Sequence, residues 1–145
     1  MAVSDLLDGP IANEAHGTAL LELAFAVSAV DGHLADEEQA AFRELVSRVR
    51  GKTATDDDVG ELLEQFVYSA HTVGLDERVR RVLPSIPAEL RETAFSVAFG
   101  LSLVDREENE YEGELLEDVA KALGIDDARA NVLRDDVRRK LSIGG

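Results

Sequence analysis

Two acidic pairs at matching spacing are the residues of this chain best suited to chemistry. Asp31 is followed by Glu38, and Asp105 by Glu112, with the same interval each time. Carboxylate oxygens are hard donors, so a set of four suits Ca²⁺, Mg²⁺ or Mn²⁺ rather than a soft metal. In each copy the Asp ends a strongly apolar stretch and the Glu opens an amphipathic one. An Asp near a helix C-terminus opposes the helix dipole at a cost of roughly 0.3–1 kcal/mol. A bound cation would offset that cost. If the two apolar helices pack side by side, Asp31, Glu38, Asp105 and Glu112 approach one region.

A second reading stands beside the first. An Asp beside a turn accepts backbone N–H bonds from its own loop, or faces the N-terminus of the next helix. For Glu112 the spacing Asn109-x-x-Glu112 fits a capping box. Glu38 has no such account, because Ala35 holds the equivalent position and offers no side-chain oxygen. An EF-hand is excluded: its loop needs Gly at position six and an acid at position twelve. Counting from Asp31 gives Asp36 and Phe42, and from Asp105 gives Glu110 and Leu116.

The elements that must position these acids are helices. No stretch alternates as a strand would. From Ala19 to Val30 the only polar residues are Glu22 and Ser28, and from Thr93 to Val104 there is no charge. Helices apolar nearly all round belong at the centre of a bundle. Elsewhere the apolar residues form one stripe, as in Val59, Leu62, Leu63, Phe66, Val67 and Ala70. Stop and start signals bound the segments. Thr55 precedes three aspartates, Gly74 and Gly124 close helices, and Pro84 and Pro87 bracket a break. The expected fold is all-α, a compact bundle of about seven helices over 13–30, 36–50, 56–73, 76–83, 88–104, 110–123 and 127–141. A further turn is expected near Asp5–Asp8. The length suits one domain, residues 1–145.

The two acidic pairs belong to an internal repeat. Phe25–Gly51 lies over Phe99–Ile125 without a gap, matching Phe25/Phe99, Ser28/Ser102, Val30/Val104, Asp31/Asp105 and Glu38/Glu112. Apolar positions coincide as well, at Ala41/Leu115, Phe42/Leu116 and Leu45/Val119. The repeat units run from about 19 to 51 and 93 to 125.

The pattern Ala29-Val30-Asp31-Gly32, Leu34, then Glu38 before Phe42 resembles the signature of the tellurite-resistance TerB-like family. Val104-Asp105 to Glu112, with Leu115-Leu116, Ala120 and Leu123-Gly124, resembles it again. The resemblance covers residues from about 19 to 125. It implies an all-helical, duplicated domain with a divalent-cation site made by acids of both motifs. It also implies a link to tellurite and general stress resistance, with no firmly attached enzymatic activity. Two departures stand out. Arg106 replaces the motif's Gly and Glu108 an apolar residue, so the second loop is expected to run differently from the first.

Other chemistry is sparse. His16, His33 and His71 are dispersed, with no HExxH spacing, and no P-loop, G-x-S-x-G or dinucleotide fingerprint is present. No enzyme is expected. Between Asp105 and Asp118 eight of fourteen residues are acidic and only Arg106 is basic. That run reads as a solvated helix face, or as a docking strip for a basic protein with Tyr111 as its anchor.

Composition sets the outer bounds. Thirty acids against fifteen bases give a net charge of −15, a field that repels phosphate backbones. Nucleic acid and anionic membranes are therefore poor partners; cations and basic proteins are better ones. The chain has no cysteine, so it has neither disulfides nor a thiolate metal site. The start MAVSDLLDGP lacks a basic n-region, and no apolar run reaches the ~18 residues of a membrane span. A cytoplasmic protein is the expectation, and self-association is compatible with everything above.

Overall fold

In the computed structural model the residues described are 2–28, 34, 36–104 and 110–143, with the side chains of 75, 110–114 and 142–143 left aside. Seven α-helices are present: α1 (Glu14–Ser28), α2 (Asp36–Arg50), α3 (Asp56–Thr72), α4 (Leu75–Val82), α5 (Arg91–Ser102), α6 (Glu110–Ala122) and α7 (Asp127–Ile143). Short 3-10 turns occupy Val3–Leu6, Leu83–Ser85 and Ala88–Leu90. Among the described residues there is no strand. The all-α bundle of about seven helices is as the periodicity predicts.

Local chemistry fixes the ends. Thr55 and Asp58 form a capping box at α3: Thr55 Oγ1 accepts from the Asp58 N–H at 3.1 Å, and Asp58 Oδ2 accepts from the Thr55 N–H at 3.3 Å. Asn13 and Asp126 cap α1 and α7 through single bonds to the N–H groups of His16 and Arg129. At the end of α6, Gly124 takes φ 79°. The Ile125 N–H then reaches the Ala120 carbonyl at 2.8 Å and the Gly124 N–H the Lys121 carbonyl at 3.0 Å. That is a Schellman closure, and its left-handed residue favours glycine. The segment expected as one helix over 88–104 is instead a 3-10 turn followed by α5. The Leu90 N–H bonds the Pro87 carbonyl three residues back, at 2.9 Å, before α-helical pairing begins.

α1 and α5 form the centre and pack more extensively on each other than any other pair of elements. From Ala19 onward every residue of α1 except Glu22 is buried, and α5 is buried from Phe95 to Ser102 apart from Ser96. The other helices each present one stripe to this pair. Phe25 of α1, Phe42 of α2 and Phe66 of α3 meet in an aromatic cluster, with ring centroids 5.6–6.5 Å apart. Edge-on and tilted contacts at these distances contribute beyond the area buried. On the other side α7 lays Arg138 over the Phe99 ring at 5.1 Å and Arg134 over Phe95 at 5.9 Å.

Because Phe66 is the only large side chain that α3 contributes to the aromatic cluster, its truncation should leave a cavity that the rigid α1–α5 pair cannot fill. Phe66→Ala is expected to cost about 3–5 kcal/mol, read as a lowered midpoint in urea unfolding. A loss below about 1 kcal/mol would mean that α3 is not held by this cluster.

Candidate functional site

Each central helix leads into one acidic connection. α1 ends at Ser28 and α2 starts at Asp36; α5 ends at Ser102 and α6 starts at Glu110. Both ends and both starts are separated by the same offset as the sequence repeat. The closing glycines depart from it, since Gly124 comes one residue earlier than the counterpart of Gly51. α1 also touches α6, and α5 touches α2, so each central helix meets the outer helix of the other copy.

Of the four sequence-predicted acids, Glu38 is the one whose surroundings are described. It lies in the first turn of α2 and is 3 % exposed. A carboxylate removed from water needs a partner, because an isolated buried charge is very costly. The helix N-terminus supplies part of the compensation. Glu112 lies within α6, but its side chain is outside the described residues, as are Asp31 and Asp105. The Asn109–Glu112 capping box, His33 and Tyr111 fall outside them too. His71 is exposed near the end of α3. Among the described residues no group of three His, Asp or Glu side chains could hold a metal ion.

Ser28 and Ser102, matched in the repeat, are both buried at their helix ends. Ser102 Oγ donates to the Phe99 carbonyl at 2.6 Å. Ser28 Oγ has no hydrogen-bond partner among the described residues. In the first copy this buried polar atom, three residues before Asp31, is thus not satisfied within its own helix. Such an atom marks a place where a loop group, water or ion completes the structure.

A second polar locus lies between α1 and α4. Glu14, Thr18 and Glu22 of α1, Ser69 of α3 and Arg78 and Arg81 of α4 line a cleft of about 620 Å³. Arg78 is buried. Glu22 is half-buried, and burial pushes its carboxyl above the ordinary Glu value, with Arg78 and then Arg81 pulling it partly back. The signal was available in the sequence. Glu22 is the single charge in the run from Ala19 to Val30.

An all-helical module built round two apolar helices, each feeding through an acidic connection into an amphipathic one, is the class that this architecture defines. The family model for Tellurite resistance protein TerB matches residues 17–135, which takes in both copies of the motif. The chain belongs to the TerB family. Comparison with curated proteins and with solved structures gives no match. Among the described residues no helix is long and apolar enough to cross a membrane.

Glu22 gives a pH prediction. A carboxyl whose pKa is raised on folding binds more protons in the native than in the unfolded state above the unfolded pKa. Its contribution to stability therefore falls as pH rises from the ordinary Glu value through the raised one. Glu22→Gln is expected to stabilise at pH 7, by less than about 1 kcal/mol because water screens a half-exposed charge. The gain should vanish near pH 4. A lower Tm for the variant at pH 7 would show that attraction to Arg78 and Arg81 outweighs burial.

Proposed function

We propose that this TerB-family chain is a non-enzymatic module that binds one divalent cation between its repeats, through Asp31, Glu38, Asp105 and Glu112, in a stress or tellurite-resistance setting. The observation that carries the reading is the burial of Glu38 in the first turn of α2. Ser28 Oγ, buried beside the first connection and without a hydrogen-bond partner among the described residues, supports it, as does the mutual packing of α1 and α5. The donor set fits the ion class: all-oxygen ligation suits Ca²⁺, Mg²⁺ or Mn²⁺, whose coordination shells accept carboxylates and waters together. Bound there, a cation would neutralise carboxylates at helix ends and fix the two connections relative to each other.

A ligand that binds only the native state at a hundredfold excess over its Kd adds about 2.7 kcal/mol. For a chain of this size that is roughly 5–10 °C in Tm. Wild type is expected to show such a rise with at least one of Ca²⁺, Mg²⁺ or Mn²⁺, and Asp31→Ala and Asp105→Ala each to abolish it. A cation panel that moves Tm no further than matched ionic-strength controls rejects the reading.

An acidic helical face that docks a basic protein is the second reading. Glu117 and Asp118 on α6 are exposed and form no ion pair among the described residues, which favours it. Reversing charges between Glu107 and Glu117 should then abolish capture of the partner by the chain. Unchanged capture removes this reading without touching the first.

A further inference from the structure

We propose that the outer flank of α3 is a docking strip for a cationic amphipathic helix of a partner protein. Gly60, Leu63, Glu64, Val67, Tyr68 and His71 line a shallow, mainly apolar groove there. Their spacing places them along one flank of the helix: Leu63 and Val67 are half-buried against the edge of the core beside Leu62 and Phe66, while Glu64, Tyr68 and His71 are exposed. The strip extends about 16 Å, three helical turns. Tyr68 is 70 % exposed, one of only two large hydrophobic side chains so open among the described residues. A half-open apolar strip of this kind, with Tyr68 standing out from it, is what an i, i+3, i+4, i+7 partner helix covers.

Gly60 is the second observation. It sits half-buried inside α3, where glycine is unfavourable by about 1 kcal/mol relative to alanine. Among the described residues nothing requires it there: its φ is not positive, and a Cβ added to it would meet no atom beyond its own helix within 4 Å. Its missing side chain instead opens the floor of the groove at the solvent side, where another backbone can come close.

Charge selects the occupant. α3 carries five acids and neither Lys nor Arg. Asp56 is engaged by Arg43 of α2, and Asp58 by the capping box. Asp57, Glu61 and Glu64 remain along one edge of the strip, on the i, i+4, i+7 row that leads to Tyr68, and make no ion pair among the described residues. A second copy of the chain packing about a two-fold axis would set this acidic edge against itself. A helix with Leu-type residues on one face and Lys or Arg beside them matches both the apolar floor and the acidic edge.

The probe is a labelled synthetic peptide of about 14 residues, with Leu at i, i+3, i+4 and i+7 and Lys elsewhere. It is titrated with the full chain at physiological salt, where charges beyond about 8 Å are screened. Amide shifts are expected to concentrate at Gly60, Leu63, Val67 and Tyr68. Gly60→Leu should weaken binding at least about tenfold, a change of about 1.4 kcal/mol, with Tm not lowered because leucine is the better helix former. Tyr68→Ser should weaken binding as well. Glu117→Lys combined with Asp118→Lys on α6 should leave affinity within about twofold, given that screening. The proposal is overturned if shifts centre on α6, if Gly60→Leu binds as wild type does, or if a peptide with Glu in place of Lys binds equally. Self-association of the chain that Gly60→Leu abolishes would overturn it too, by assigning the strip to a second copy.

Discussion

The contact between α1 and α5 is the interaction on which everything else rests. Two helices that are apolar almost all round cannot sit at a surface, so each serves as the other's solvent shield. Once paired, their remaining sides must be covered, and the amphipathic helices do this one stripe at a time. Both acidic connections begin at the ends of this pair. Their position is thus a consequence of core packing, and any ion they hold would be coupled to the stability of the core itself.

The two copies solve the same packing problem with different chemistry. In the first, Phe25 is surrounded by Phe42 and Phe66, an apolar cluster joining three helices. In the second, Leu116 stands where Phe42 does, and Phe99 instead lies beneath the Arg138 guanidinium of α7. The basic residues near the end of α7 thus pack on the core as well as pairing with acids of their own helix. Asp136 accepts from Arg139 and Lys140, and the Lys140 ammonium, 2.8 Å away, holds its carboxyl below the usual range. The helix-ending serines diverge in the same manner: Ser102 is satisfied within its own helix, and Ser28 has no partner among the described residues. The two copies share a scaffold and differ in the side chains packed around its central helices.

Helix boundaries were legible because they depend on local chemistry. Thr55, Gly124, Asp126 and the prolines mark them through hydrogen bonds made within a few residues. The break at Leu90 was hidden, because a 3-10 turn and an α-helix present similar apolar spacing over so few residues. The burial of Arg78 was hidden for a different reason. Its sequence neighbours make α4 look like a helix with a basic outer face, and only the approach of α1 with Glu22 encloses it. Glu38 lies between these cases: the lack of a side-chain oxygen at Ala35 set it apart in the sequence, while its burial is a tertiary fact. The inward stripe of α3 was legible in its spacing, since Leu63, Val67 and Ala70 do pack against the core, whereas how far their outer edges stay open is set by the neighbouring helices.

One cation shared by the two motifs should be visible in a crystal grown with Ca²⁺. A single ion is expected there, with carboxylate oxygens of both Asp31 and Asp105 at about 2.3–2.6 Å. Separate ions at the two connections, or carboxylates satisfied by backbone N–H groups with no ion between them, would contradict it.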